Sequence, residues 1–162
     1  MKEALDEQGG LTEQAKRQNV IRLVFGGRAE GLDVFRRTIK DAVPEAERVV
    51  VRGSAVTGHR WNDGAPFDAE GPGTSDIDLT LVGPRVVDLF KLTGFFVPGV
   101  HSRPLSDDDP EIAPTLIALR RRLIDMVKRP VNIQATLDFV MYLRGDLLGQ
   151  PYLTLIDEQD AG

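Results

Sequence analysis

Alternating and clustered apolar positions predict four β-strands in this chain. The clearest alternation lies in residues 76–83, DIDLTLVG, where Asp76 and Asp78 alternate with Ile77 and Leu79. Successive side chains of a strand point to opposite faces, so the two aspartates share one face and the two apolar residues share the other. The other predicted strands, the last of them at a sheet edge, are 48–53, 131–138 and 152–157.

The segments between the strands carry apolar residues at helical spacing. Leu32, Phe35 and Ile39 fall on one face of a predicted helix over 32–43, which Pro44 ends. The same spacing predicts a helix over 111–129. Shorter helices are predicted at 85–93 and 139–149. Helices interleaved with strands indicate an α/β (α+β) fold with a mixed β-sheet flanked by helices.

The remaining segments set the expected domain limits. Residues 1–18 are polar and predict an N-terminal tail or a short surface helix, and 19–162 form a single domain. The apolar run 20–25 is too short to distinguish a strand from the end of a helix. Residues 59–75 are rich in glycine and proline and predict a long loop.

Composition limits the classes of function. The net charge of −5 lacks the basic excess of a broad nucleic-acid-binding surface, so nucleic acid is a less favoured partner. The chain has no cysteine, which excludes thiolate metal sites and a cysteine nucleophile. No apolar run approaches the roughly 20 residues that cross a bilayer, and the acidic N-terminus is unlike a signal peptide. We therefore expect a cytoplasmic protein without a membrane partner.

Two short motifs suit the chemistry of a nucleoside triphosphate. The paired carboxylates of Asp76 and Asp78 are hard oxygen ligands of the kind Mg²⁺ prefers, and Mg²⁺ commonly adds substrate phosphates to one or two carboxylates. Gly53 allows close backbone approach to a ligand, Ser54 adds a hydroxyl donor, and a helix starting there offers free N–H groups to phosphate. Together they predict an anion cradle beside a metal site.

The motifs VVVRGSAVTG and SDIDLTLV resemble the signature of the polymerase-β-like nucleotidyltransferases. This resemblance implies a nucleotidyltransferase fold in which Gly53 and Ser54 bind the triphosphate, and Asp76 and Asp78 are catalytic and bind Mg²⁺, with Mn²⁺ as the alternative ion. The implied reaction transfers a nucleoside monophosphate from the triphosphate to a hydroxyl or phosphate acceptor. The chain is similar in size to minimal nucleotidyltransferases, which implies a protein partner such as a HEPN-type toxin, or self-association.

Two features depart from the family pattern. Residues 55–75 place 21 positions between Ser54 and Asp76, more than the family uses, so 59–75 is an expected insertion. Asn132 stands where the family has a third carboxylate, and an amide cannot accept a proton. Two alternatives therefore remain: a nucleotidyltransferase-fold binding protein without catalysis, acting as an antitoxin or a nucleotide sensor, and an enzyme that transfers phosphate or hydrolyses its substrate.

Overall fold

The alternating and helical patterns assemble into one mixed β-sheet with helices. The computed structural model describes residues 11–157. Its strands are β1 (Arg48–Arg52), β2 (Ile77–Val82), β3 (Phe95–Val97), β4 (His101–Ser102), β5 (Val131–Thr136) and β6 (Tyr152–Asp157). Its α-helices are α1 (Glu13–Phe25), α2 (Ala29–Ala42), α3 (Ser54–Thr57), α4 (Pro84–Val87), α5 (Ile117–Val127) and α6 (Phe139–Tyr142). The α/β class with a mixed sheet is thus confirmed.

The sheet has six strands in the order β3-β4-β5-β2-β1-β6. Strands β2 and β5 are parallel, and the other neighbouring pairs are antiparallel. Strand β6 forms one edge, as the sequence predicts. Because β2 is central and is flanked by β1 and β5, side chains from three strands meet at its first residues.

One face of the sheet carries the main hydrophobic core. The buried residues of α2 include Leu32, Phe35 and Ile39, which the helical spacing predicts. They share one buried cluster with Leu79 and Ile133 of the two parallel strands. Helices α1, α2 and α5 supply most of the covering layer, because each presents an apolar stripe to the sheet.

The opposite face carries both polar and apolar side chains, of which Val50, Thr80 and Gln134 are buried. Helix α6 and the π-helical segment Leu143–Leu147 lie over it. Tyr142 packs there in a small cluster with Val50 and Leu147, and its hydroxyl lies 2.8 Å from Thr80 Oγ1 of β2. Thr80 has the same parity along the strand as Asp78, so this is also the face to which the aspartate side chain belongs.

Residues 13–18 of the predicted tail or short surface helix belong to helix α1. Residues 1–10 of that tail lie outside the described residues, and α1 begins at Glu13 after a Thr12 cap that accepts a hydrogen bond from Ala15 N. Lys16 is buried in this helix. The run 20–25 is the end of α1 and not a strand.

The helix predicted over 111–129 is shorter in the structure. A 3₁₀ turn, Pro114–Leu116, precedes α5, since proline lacks the N–H that a continuous helix would need. Lys128 ends the helix in a left-handed conformation with φ 56°. Segment 85–93 contains only the one-turn α4 and the start of a second 3₁₀ turn, Leu92–Gly94.

Candidate functional site

Strand register places three polar side chains in one row across the sheet. Arg52 of β1 pairs with Asp78 of β2 in antiparallel register, and Asp78 pairs with Asn132 of β5 in parallel register. Asp76 directly precedes β2. The row therefore joins a cation, a carboxylate and an amide at the start of the central strand.

The amide of Asn132 bridges the two aspartates. Its Nδ2 donates to Asp76 Oδ2 at 2.8 Å and to Asp78 Oδ1 at 3.1 Å. The Asn132 side chain thus lies next to both aspartates. It acts there as a hydrogen-bond donor to both acids.

Burial raises the pKa of Asp78 to about 6, and the negative charge of Asp76 acts in the same direction. The Asn132 amide and the Arg52 guanidinium oppose this rise in pKa without cancelling it. Two carboxylates that share a site favour protonation of one of them, or a bound cation. A bound cation would therefore relieve the repulsion between the two carboxylates.

Gly53 brings the backbone close to this carboxylate pair. It has φ 93° and ψ −164°, a conformation that is essentially restricted to glycine. A Cβ atom at this position would lie 3.1 Å from Asp78 Oδ2. Ser54, buried, begins the one-turn helix α3 directly after Gly53. The glycine and serine therefore form a tight corner against Asp78.

One cleft contains all four residues that the sequence assigned to nucleotide and metal binding. Its volume is about 460 Å³, and its lining includes Gly53, Ser54, Asp76 and Asp78. Arg52 also lines it, a residue that the sequence analysis did not single out although it adjoins Gly53. We call the side of the cleft formed by residues 52–54, 76 and 78 the sheet wall.

The predicted loop at 59–75 supplies further lining residues, and we call this segment the loop wall. Arg60, Trp61, Glu70 and Thr74 of this segment line the cleft. The segment is folded on itself by turns and by an isolated bridge between His59 and Pro66. The glycine and proline content predicted a loop, and only the structure shows that the loop turns toward the aspartates.

A partly buried ion pair fixes the loop wall to the end of α5. Arg129 donates from Nη1 to Asp68 Oδ1 at 2.7 Å and from Nη2 to Asp68 Oδ2 at 3.2 Å. It also donates to the carbonyl of Ser75 at 3.0 Å, and Ser75 N donates to Asp68 at 2.9 Å. The ion pair thereby holds the residue that precedes Asp76.

The guanidinium of Arg129 holds the pKa of Asp68 at about 2, well below its usual range, with help from the backbone N–H groups of Ser75 and Gly73. Asp68 is therefore ionised throughout the physiological range. No sequence motif marked Asp68 and Arg129, because they lie 61 residues apart.

The donor set fits a hard cation that takes further ligands from a phosphate. Asp76 and Asp78 provide carboxylate oxygens around one point, where they share the Asn132 amide. Glu70 lines the same cleft but lies 3.0 Å from Arg60 Nη1 in an ion pair. Among residues 11–157, no group of three or more His, Cys, Asp or Glu side chains could hold a metal. Two carboxylates plus phosphate oxygens are an ordinary Mg²⁺ environment.

Comparison with known proteins adds no further constraint. No protein-family model matches the chain, and neither a curated protein nor a solved structure matches it. Within the described part of the chain, no helix has the length and apolar character needed to span a bilayer. Function is therefore inferred from the chemistry of the cleft and from the motif resemblance.

Proposed function

We propose that this chain is a Mg²⁺-dependent nucleotidyltransferase of the polymerase-β-like type. The observation that carries the proposal is the approach of the Gly53 backbone to Asp78 inside the same cleft as Ser54 and Asp76. A phosphate-binding corner and a pair of metal-binding carboxylates are both needed to position a nucleoside triphosphate. The mixed sheet, with helices α1, α2 and α5 covering one face, is consistent with this fold.

Each residue of the sheet wall has a distinct role in the proposed reaction. Gly53 permits close approach of the triphosphate, and Ser54 donates its hydroxyl to a phosphate oxygen. Asp76 and Asp78 hold Mg²⁺, which when bound neutralises phosphate charge. Arg52 lies beside Asp78 in the sheet and adds positive charge to the same wall.

The proposed reaction moves a nucleoside monophosphate to an acceptor oxygen. The acceptor is a hydroxyl or phosphate group, its oxygen bonds to the α-phosphorus, and pyrophosphate leaves. A protein acceptor, either a HEPN-type partner or a second copy of the chain, suits the net charge of −5 better than a nucleic acid does.

Labelling with α-³²P ATP and Mg²⁺ tests this function. The wild-type protein, alone and with a protein extract as the acceptor source, should release pyrophosphate and transfer label. Asp78→Asn should lower both rates by about 100-fold or more, because a charged ligand of the cation is lost. Asp125→Asn, an exposed acid on α5, is the matched control and should leave both rates unchanged. Equal labelling by wild type and Asp78→Asn would contradict the proposal.

Asn132 favours a second candidate function, a nucleotide-binding protein that does not catalyse transfer. Its amide donates to both aspartates and offers no proton acceptor to an attacking hydroxyl. An antitoxin or nucleotide sensor would then bind Mg²⁺ and ATP without releasing pyrophosphate. Isothermal titration beside the labelling assay separates the two candidates. Under this second function, Asn132→Asp should tighten Mg²⁺ binding by about 10-fold, since it supplies a third carboxylate.

A further inference from the structure

The loop wall presents a large aromatic side chain at the cleft. Trp61 is the only tryptophan of the chain, and 55% of its surface is exposed. It lines the same cleft as Asp76 and Asp78. The indole therefore offers an exposed aromatic surface to a ligand in a cleft whose other lining residues are largely polar.

The turn that carries Trp61 is held in place by its neighbours. Arg60 N donates to the carbonyl of Ala65 at 2.7 Å, and Gly64 N donates to the carbonyl of Arg60 at 2.9 Å. The Arg60 guanidinium is also paired with Asp63 at 3.3 Å and with Glu70 at 3.0 Å. These contacts hold the backbone on both sides of Trp61. Because this backbone is already ordered, ligand binding at Trp61 costs less conformational entropy.

Trp61 also lies close to the predicted phosphate corner. A smaller cavity adjoins the main cleft, and Gly53, Trp61 and Gln150 line both. The Gln150 side chain offers an amide donor and an amide acceptor, the groups that pair with the edge of a nucleobase. An aromatic face and an amide therefore stand beside the glycine that would approach the phosphates.

We infer that Trp61 is the stacking platform for the nucleobase of the bound nucleoside triphosphate, with Gln150 at the base edge. This inference rests on the proposed nucleotide site and assigns the base to the loop wall and the phosphates to the sheet wall. Stacking on an aromatic side chain is tolerant of base identity because every base has a π-face. The site should therefore accept purine and pyrimidine triphosphates, with purines held more tightly.

Comparison of a nucleotide with a ligand that has no base tests the inference. MgATP and Mg tripolyphosphate are titrated into the wild-type protein by calorimetry, and Trp61 fluorescence is recorded in parallel. MgATP should quench the fluorescence and tripolyphosphate should not. Trp61→Ala should weaken MgATP binding roughly 10-fold and leave tripolyphosphate binding unchanged. Trp61→Phe should restore most of the affinity for MgATP.

A matched control is available at the far edge of the sheet. Phe96 of β3 is 62% exposed, and Phe96→Ala should alter binding of neither ligand. Equal affinities of the wild type for the two ligands, or an equal loss of both in Trp61→Ala, would overturn the inference and leave the phosphate and metal site standing. Failure of the wild type to bind either ligand would instead overturn the proposed function, and the inference with it.

Discussion

The two walls of the cleft are held by different kinds of interaction. In the sheet wall, strand register places Arg52 beside Asp78, and Asp78 is paired on its other side with Asn132 of β5. In the loop wall, residues 59–75 contribute no strand to the sheet, and the ion pair of Asp68 with Arg129 ties them to the end of α5.

This difference indicates which wall tolerates amino-acid substitution. A substitution in the sheet wall acts on a position that close packing and backbone pairing both constrain, so it should alter stability and the site together. A substitution in the loop wall acts on a surface segment, where changes in sequence and length are tolerated more easily. Base preference can therefore vary on the loop wall while the sheet wall retains the phosphate and metal chemistry of the proposed function.

The largest stability effect is expected at Gly53, on the sheet wall. Gly53→Ala should lower the free energy of unfolding by about 3 kcal/mol, because alanine is strained at φ 93° and ψ −164°. Its Cβ would also lie 3.1 Å from Asp78 Oδ2. Urea denaturation measures the change.

Gly64 provides the matched control on the loop wall. It has φ 73°, and a Cβ there would meet no atom within 4 Å. Gly64→Ala should cost only about 1 kcal/mol, the ordinary penalty of a left-handed residue. Equal losses at the two glycines would contradict the contrast between the walls.

An intermediate effect is expected at the ion pair that fixes the loop wall. The pKa of Asp68 is lowered from 3.8 to about 2 in the folded protein, so its stabilising contribution is present above pH 3.8 and is lost as the pH falls toward 2. Asp68→Asn should lower the free energy of unfolding by about 1–2 kcal/mol at pH 7, less than the full shift in pKa implies because water reaches the carboxylate. The difference from wild type should shrink below pH 4.

Asp63 of the same loop serves as the control for Asp68. Its side chain is 58% exposed and pairs with Arg60 at 3.3 Å. Asp63→Asn should change the free energy of unfolding by less than about 0.5 kcal/mol, as exposed pairs generally do. A loss for Asp68→Asn that stays constant from pH 7 to pH 2 would show that its charge is not responsible.

A small effect of opposite sign is expected at Asp78. The pKa of Asp78 is raised from 3.8 to about 6, so the folded state binds the proton more tightly and stability falls as the pH rises through that window. With a chelator present, Asp78→Asn should stabilise the protein by about 1 kcal/mol above pH 6. The gain should vanish below pH 4, and thermal unfolding across this range measures it. A loss of stability at pH 8 would contradict it.

Local pattern predicted the strand face and the helix face correctly. Alternation placed Asp78 and Thr80 on the face opposite Leu79, and helical spacing placed Leu32 and Phe35 in the core. Such patterns can be recognised in the amino-acid sequence because the side-chain period of a strand or a helix depends only on neighbouring residues. The short strands β3 and β4 were missed, since three and two residues are too few to show a period.

The same local reasoning failed where burial comes from distant contacts. Helical spacing does not mark Arg120 as a core residue, but it is buried and donates from Nε to the carbonyl of Val131 at 2.7 Å. A charged residue becomes favourable inside a protein only when a partner meets it there. That partner comes from β5, beyond the end of the helix.

By itself the sequence determined the pairing of Asp76 with Asp78 on one face and the glycine and serine that end β1. Only the tertiary structure decided that the Asn132 amide bridges the aspartates across 54 and 56 residues of chain, and that the loop at 59–75 lines the same cleft as the aspartates. The physical reason is the range of the interactions. Period and turn chemistry are set within a few residues, whereas strand register and ion pairs between distant segments are selected by the burial and pairing of the whole chain.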